Sequence, residues 1–276
     1  MDLDPDPAPD PDPDLIPDHP DVDPDHPDRN PDHTDLAPDL AALRRLGGFF
    51  VLRTAPDGRL PTLAETYARA AGGVHGDALT TRVATVAERL RTREPRVAAS
   101  IAQQGLAARL WSVALGCAAL SGRLPDLDAR LLRWDALASA PDDLWLTEPR
   151  PLPGDAATLA ETVLHGHLEP LGAALRSRYG VPAGLLRGNA GSALAGAARE
   201  ADRWARANGR ADVAERVRVL TDELFTHPLL RTTGARDGTA FRRRSCCLYY
   251  RVPGGGVCGD CCFTRPPRSS PRAASG

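Results

Sequence analysis

Five of the six cysteines lie in one seventeen-residue window near the C-terminus of the 276-residue chain. Four of them, Cys246, Cys247, Cys258 and Cys261, form the pattern Cys-Cys-x10-Cys-x2-Cys. Thiols at this density either bind a metal or form disulfides. The fifth, Cys262, is one more than a four-thiolate site requires, and we interpret it as a free or buried thiol.

Three kinds of cysteine chemistry compete for this window. Zinc takes four ligands around one tetrahedral centre, usually as two Cys-x2–4-Cys pairs, and only Cys258 and Cys261 form such a pair. Adjacent side chains point to opposite sides of extended backbone, which makes chelation of one small ion by Cys246 and Cys247 awkward. A two-iron cluster is wider, and adjacent cysteines can reach it from a bent backbone. We therefore favour a [2Fe–2S] cluster and keep zinc and disulfides as alternatives.

Basic and glycine residues next to the cysteines support a redox site. A cluster held by four thiolates is anionic, and positive charge nearby raises its reduction potential. Gly254, Gly255 and Gly256 allow the backbone to curl so that its N–H groups face the sulfurs. Four arginines flank the cysteines: Arg242, Arg243, Arg244 and Arg251. The alternative for these arginines is a solvated basic stretch.

The charge of the chain is divided between an acidic tail and a basic body. Fourteen Asp and one Arg give residues 1–40 a formal charge of −13, and because the total is −2, residues 41–276 carry +11. The Asp-Pro repeats have almost no apolar surface to offset chain entropy, so we expect a disordered tail. His19, His26 and His33 recur within it, as a degenerate repeat or a weak metal-binding feature.

The chain shows no targeting or membrane-spanning signal. Its N-terminus reads Met-Asp-Leu-Asp-Pro, without the basic and apolar regions of a secretory signal. No stretch reaches the roughly 20 apolar residues that span a bilayer. We expect a cytoplasmic protein, in which clustered cysteines bind metal more often than they form disulfides.

Hydrophobic periodicity predicts a mainly α fold with a small β portion (α+β). Helices are expected over 61–72, from Asp77 to Leu90, from Pro95 to Leu120, and over 156–179, 183–199 and 202–226, the last of them broken at Asn208-Gly209. Short strands are expected at Leu131–Trp134 and Leu144–Leu146. Thr232–Thr239 is expected to be a linker. The chain then divides into a disordered Asp/Pro-rich tail (1–40), a mainly helical body (41–240), a [2Fe–2S]-binding segment (241–264) and a disordered basic tail (265–276).

The cysteine window resembles the C-terminal signature of FhuF-type ferric-siderophore reductases. The resemblance rests on Arg-Arg-Ser-Cys-Cys-Leu-Tyr-Tyr at 243–250 and Gly-Gly-Val-Cys-Gly-Asp-Cys at 255–261. Gly-Leu-Ala-Ala-Arg-Leu-Trp-Ser at 105–112 is similar to the family's Arg-Leu-Trp segment, and Gly-Asn-Ala-Gly-Ser-Ala-Leu at 188–194 is similar to its Gly-Asn-x-x-Ser-Ala helix start. The likeness covers about 60–262. One departure is Arg187, where the resemblance leads us to expect Trp.

Several side chains outside the cysteine window are candidates for substrate contact or electrostatic tuning. Arg109, in an apolar helix, could meet an anionic siderophore group or pair internally, and Trp111 beside it fits the core. Asn189 could contact substrate, or Asn189 and Ser192 could cap a helix that follows Gly188. His165 and His167, two positions apart, do not share a helix face and are expected at the surface or at a helix end.

The resemblance implies a cytoplasmic enzyme that reduces a ferric siderophore by one electron. Hydroxamate-like oxygen donors hold Fe(III) far more tightly than Fe(II), so reduction releases the metal. Without a Gly-x-Gly-x-x-Gly motif after a strand, the electron is expected from an external donor such as a ferredoxin. Two alternatives remain: a zinc- or cluster-binding regulator that binds nucleic acid, and a siderophore-binding protein without turnover. We do not expect a nucleic-acid partner. The basic surface is also compatible with peripheral membrane contact.

Overall fold

Helix α4, Pro95–Ser121, is the centre of the fold in the computed structural model, which describes residues 35–55, 60–68 and 77–267. Its sequence is apolar on every side, and Leu110, Trp111 and Leu115 are fully buried. A helix that is apolar all round must be covered on all faces. It packs most extensively against helix α7, Ala183–Ala207, and four further helices also contact it.

The remaining elements surround α4. The other helices are α1 Ala37–Leu43, α2 Leu63–Tyr67, α3 Ala78–Arg89, α5 Ala156–Leu159, α6 Glu169–Tyr179 and α8 Ala211–Leu224. The strands are β1 Arg53–Thr54, β2 Arg123–Pro125, β3 Leu132–Trp134, β4 Leu144–Leu146, β5 Pro151–Pro153, β6 Gly234–Asp237 and β7 Ala240–Arg243. A π-helix, Ala160–Leu168, joins α5 to α6.

Three small sheets complete the fold. Strand β4 lies between β1, to which it is parallel, and β3, to which it is antiparallel. Strands β2 and β5 form an antiparallel pair beside the C-terminus of α4. Strands β6 and β7 form a hairpin in which Gly234 pairs with Arg243. The predicted mainly α fold with a small β portion is confirmed.

Local signals located several elements correctly. Asp77 accepts a hydrogen bond from the Thr80 N–H and caps α3, as predicted. Pro95 is the first residue of α4, where its missing N–H leaves no donor unsatisfied. Strands β3 and β4 fall at the predicted positions.

Three predicted boundaries are wrong. The predicted tail extends to residue 40, but α1 begins at Ala37 and buries Leu36 and Leu40 against the core. The predicted break near residue 200 is absent, since α7 continues to Ala207; it ends at Asn208 and Gly209, where a break was also predicted. Thr232–Thr239 is not a linker, because its four central residues, Gly234–Asp237, form strand β6.

Some predictions fall outside the described residues. The Asp-Pro tail with His19, His26 and His33 lies in residues 1–34, and most of the basic tail lies in 268–276. The predicted helix over 61–72 is described only as far as residue 68, and its helical part is α2. Within the described residues, every helix is too short or too polar to span a bilayer.

Candidate iron–sulfur centre

The β6–β7 hairpin places the cysteine segment on the surface made by α4 and α7. Phe241 of β7 is buried and packs against Phe225 after α8, with ring centroids 5.4 Å apart. The last residue of β7, Arg243, points inward, and the chain then runs directly into Ser245 and the first cysteine pair. Because the hairpin is anchored by its own packing, the cysteines start from a fixed position.

The five thiols of the window lie within electrostatic reach of one another. A hydrogen bond joins the Sγ atoms of Cys247 and Cys258, which are 3.5 Å apart. Cys246 interacts with Cys247, Cys261 and Cys262. All five are free thiols; Cys247 is buried and the others are half-buried. Across residues 35–55, 60–68 and 77–267, no three His, Cys, Asp or Glu side chains converge on one metal-ion position.

The local backbone directs N–H donors at the cysteine sulfurs. The Leu248 N–H donates to Cys246 Sγ at 3.2 Å, and Leu248 itself adopts a left-handed conformation with φ of 70°. The Phe263 N–H donates to Cys261 Sγ at 3.4 Å. These bonds stabilise negative charge on sulfur, as ligation of a metal requires.

The electrostatic environment shifts the pKa values of the thiols in different directions. The hydrogen bond with Cys258 lowers the pKa of Cys247 to about 6, and the Arg243 guanidinium adds to this effect. The same hydrogen bond raises the pKa of Cys258. Burial raises the pKa of Cys246 to about 11. Cys247 is therefore ready to carry negative charge without a metal, whereas Cys246 and Cys258 need a nearby cation to do so.

Arg243 is a buried cation beneath the cysteines. It is 2% exposed, and its guanidinium donates to Asn189 Oδ1 at 2.6 Å and to the Ser245 carbonyl at 3.0 Å. Its other acceptors, the Gln104 side chain and the Leu185 carbonyl, are also neutral. Among the described residues no carboxylate forms an ion pair with it, and the thiols of Cys247, Cys258 and Cys262 interact with it electrostatically.

The Arg243 charge adds to the lowering of the Cys247 pKa. It opposes the rise in the pKa of Cys258, which is due first to the hydrogen bond with Cys247, and the rise in the pKa of Cys262, which is due first to burial. A buried charge without a counter-charge is costly. Arg243 therefore favours an anionic group at the cysteines.

The Gly-Asn-x-x-Ser motif of α7 is the surface on which the cysteine segment docks. A Cβ at Gly188 would overlap Ser245 Oγ, and one at Gly191 would overlap Thr233 Oγ1. Asn189 is fully buried and donates to the Ser100 carbonyl at 2.9 Å while it accepts from Arg243. The predicted helix cap at Asn189 is wrong, because α7 begins at Ala183 and Asn189 lies in its second turn.

Two further residues, which the sequence did not single out in this role, fix the cysteine turns. The Ser100 hydroxyl of α4 donates to the Cys247 carbonyl at 2.8 Å. Asp260, inside the Cys-x2-Cys turn, accepts from Ser192 Oγ at 2.6 Å and pairs with Arg199 at 3.1 Å. The Asp260 carbonyl also accepts from the Arg243 N–H at 2.9 Å. Ser192 belongs to the Gly-Asn-x-x-Ser motif, and its place in that motif is the sequence feature that could have indicated a docking role.

Arg109 and Trp111 belong to the interior. Arg109 is 1% exposed; its Nε pairs with Asp143 Oδ1 at 2.8 Å and its Nη2 donates to the Val51 carbonyl at 2.7 Å. It also donates to the Phe49 carbonyl. The internal pairing is thus the correct alternative for Arg109, and substrate contact is excluded by its burial. Trp111 is fully buried in the core, as expected.

The other predicted tuning residues are exposed. Arg244 points to solvent while its N–H donates to the Thr233 carbonyl. Arg251 pairs with Glu94 of the α4 N-terminus at 2.8 Å, which offsets its charge. Arg187 is exposed at the rim of a cleft of about 530 Å³ on the opposite face of α7 from Gly188 and Asn189. Of the four flanking arginines, only Arg243 is buried under the thiols.

The histidine pair is separated, as its spacing predicts, but only one member is at the surface. His165 is half-exposed and its Nδ1 lies 2.5 Å from Glu169. His167 is buried: its Nε2 lies 2.6 Å from the Leu127 carbonyl and its Nδ1 lies 2.9 Å from the Tyr67 hydroxyl. The expected surface position is therefore wrong for His167, because the π-helix turns it into the core.

Residues 243–263 match the family model of the FhuF 2Fe-2S C-terminal domain. The segment is similar to the [2Fe–2S] domain of that family. The match begins at the buried Arg243 and includes all five clustered cysteines, in agreement with the resemblance found in the sequence. No curated protein matches the chain.

The residues present fit a [2Fe–2S] cluster. The FhuF-type domain supplies four thiols in the Cys-Cys-x10-Cys-x2-Cys pattern, N–H donors to two of the sulfurs, and a buried cation to balance an anionic group. Four thiolates are the ligand number that such a cluster takes. The cofactor of this domain is thus a [2Fe–2S] cluster.

Proposed function

We propose that the protein reduces a ferric siderophore by one electron in the cytoplasm and so releases iron as Fe(II). The observation that carries this proposal is the FhuF-type [2Fe–2S] segment, 243–263, docked on the α4–α7 surface. Hard oxygen ligands of a hydroxamate-like chelator bind Fe(III) far more strongly than Fe(II). One added electron is therefore sufficient to weaken the complex.

Cys246, Cys247, Cys258 and Cys261 would hold the cluster, which when bound supplies electrons one at a time. The N–H groups of Leu248 and Phe263 and the Arg243 guanidinium stabilise negative charge on the sulfurs. Ser100, Ser192 and Asn189 hold the segment still, so that its environment does not have to reorganise when the charge changes.

The electron would come from an external protein such as an acidic ferredoxin. Arg242, Arg244 and Arg265 are exposed along the cysteine segment, next to the partly exposed apolar side chains of Val257 and Phe263. A basic surface with apolar side chains suits an acidic partner, which electrostatic attraction brings to the cluster. Electron balance requires one donor electron for each Fe(III) reduced to Fe(II).

A single-turnover experiment tests this function. The protein is reduced anaerobically with dithionite, freed of excess reductant and mixed with a ferric trihydroxamate in the presence of a chromogenic Fe(II) chelator. We expect about one Fe(II) per reduced cluster, together with reoxidation of the cluster. Binding of the chelate without Fe(II) release would instead identify a siderophore-binding protein, and retention of duplex DNA at physiological salt would support the nucleic-acid-binding alternative.

A further inference from the structure

A cleft of about 530 Å³ lies on the face of α7 opposite the cysteine segment. Its volume falls within the range of small-molecule sites, which is about 300–1,000 Å³. The floor is apolar and is formed by Leu164, Leu168, Leu186 and Leu230. An apolar floor with a charged rim is the usual build of a site for an organic ligand.

One buried polar atom at this cleft lacks a partner. Gln103 lines the cleft and is 1% exposed, and its Nε2 donates to the Leu186 carbonyl at 3.3 Å. Its Oε1 is buried and has no hydrogen-bond partner among the described residues. A buried acceptor without a hydrogen bond destabilises the protein, and a ligand N–H or O–H donor would remove that cost. Gln103 therefore marks the cleft as a place for a ligand that donates hydrogen bonds.

The rim of the cleft carries unpaired positive charge. Arg176 and Arg187 both line it and are exposed, and neither forms an ion pair within the part of the chain that the structure describes. The one carboxylate at the rim, Glu169, lies 2.5 Å from His165. Two free guanidinium groups above an apolar floor favour a ligand with a carboxylate, which Arg can bind through two hydrogen bonds.

The cleft is close enough to the cysteines to serve the proposed reaction. Leu186, Arg187 and Ala190 face the cleft, whereas Gly188, Asn189 and Ser192 face the cysteine segment on the other side of α7. The two are separated by about one helix diameter, roughly 10 Å. The Leu185 carbonyl accepts a hydrogen bond from Arg243, and the Leu186 carbonyl accepts one from Gln103. The two sites therefore contact the same turn of α7.

A second cleft, of about 450 Å³, touches Asp260 but offers no comparable signal. Its charged residues are already paired, Asp260 with Arg199 at 3.1 Å and Glu200 with Arg203. The larger cleft is the one whose polar groups remain available.

We infer that the cleft lined by Gln103, Arg176 and Arg187 is the substrate site, and that its substrate is a ferric chelate with a free carboxylate and hydrogen-bond donors. This inference rests on the proposed reductase function. The carboxylate lies between the two arginines, a ligand amide N–H donates to Gln103 Oε1, and the apolar part of the chelator covers the leucine floor.

Binding of a redox-inert complex separates this inference from the reaction. Ga(III) has the charge and nearly the size of Fe(III) but is not reduced, so its complex reports binding alone. The probe is a Ga(III) trihydroxamate with one free carboxylate, compared with its methyl ester, and affinity for the holoprotein is measured by calorimetry. We expect the wild-type protein to bind the acid at least tenfold more tightly than the ester.

Arg187→Ala is expected to weaken binding of the acid about tenfold and to leave binding of the ester nearly unchanged. Arg176→Ala should act in the same direction. Arg231→Ala removes an equally exposed arginine next to Leu230 that does not line the cleft, and it should bind both probes as the wild type does.

Three results would overturn the inference. The wild type could bind acid and ester with equal affinity, it could bind neither, or Arg187→Ala could bind the acid as tightly as the wild type does. A failure of the reductase proposal would be seen separately, as intact Ga(III)-probe binding without Fe(II) release from the ferric complex.

Discussion

Replacement of Arg243 by Gln should lower the reduction potential of the cluster. Arg243 is 2% exposed, has only neutral acceptors among the described residues, and interacts electrostatically with Cys247, Cys258 and Cys262. Its charge stabilises the reduced cluster more than the oxidised one, because reduction adds one negative charge beside it. Gln keeps hydrogen-bonding capacity but removes the charge.

The size of the effect follows from Coulomb's law. At a separation of about 7 Å and an effective dielectric of about 20, one unit charge stabilises an added electron by roughly 2 kcal/mol. For a one-electron couple, about 59 mV corresponds to a tenfold change in equilibrium, or about 1.4 kcal/mol. The potential of Arg243→Gln should therefore lie roughly 100 mV below that of the wild type.

Spectroelectrochemical titration of the purified holoprotein measures this potential. Arg251→Gln is the matched control, since Arg251 is exposed and already paired with Glu94 at 2.8 Å, and its potential should change by only a small fraction of that amount. Arg243→Lys retains the charge and should stay near the wild-type value even if cluster loading falls. A potential of Arg243→Gln equal to that of the wild type, at equal iron content, would refute this role for Arg243.

Three further predictions concern the scaffold, each measured by chemical denaturation. Gly191→Ala should destabilise the protein by about 1–3 kcal/mol and reduce cluster content, because the added Cβ overlaps Thr233. Asp143→Asn should cost about 3 kcal/mol or more, because it leaves the buried Arg109 without its counter-charge. Burial lowers the pKa of His167 from 6.5 to about 4, so the unfolded chain takes up a proton first as the pH falls. The contribution of neutral His167 to the free energy of unfolding is fully present above pH 6.5, and about 3 kcal/mol of it should be lost as the pH falls towards 4.

Each of these has a control and a contrary result. Gly196→Ala, on the same helix, meets only the Arg199 side chain at 3.9 Å and should be neutral or stabilising. Gly191→Ala as stable as Gly196→Ala would contradict the docking surface. Asp142→Asn removes an exposed carboxylate next to Asp143 and should have little effect. Asp143→Asn as stable as Asp142→Asn would contradict the role of the buried ion pair. A His167→Gln variant whose stability falls as steeply with acid as that of the wild type would show that another group is responsible.

Helix positions were predictable where one local signal dominated. The periodic Leu79, Val83 and Val86 and the capping Asp77 located α3, and Pro95 located the start of α4. The α1 boundary was missed because Leu36 and Leu40 gain their stability from distant core contacts that an Asp-rich context conceals. The β6 strand was missed because its pairing with β7 is set by the hairpin as a whole and by packing of Phe241 on Phe225.

The candidate site was predictable as a set of ligands but not as an arrangement. The cysteine spacing indicated the cluster, and the family match agrees with it. Four flanking arginines looked equivalent in the sequence, yet only Arg243 is buried, since alternation along β7 turns it inward and its neighbours outward. Asn189 was interpreted as a possible cap although the helix predicted over 183–199 already contained it, and the local sequence does not show that this face of α7 receives the cysteine segment.

The most direct test of the central claim is the metal content of the anaerobically purified protein together with its spectrum. We predict two iron atoms and two acid-labile sulfides per chain, a red-brown colour that bleaches on uptake of one electron, and loss of both iron and colour in Cys258→Ser. A colourless protein with one zinc per chain, or a Cys258→Ser variant with unchanged iron and spectrum, would contradict it.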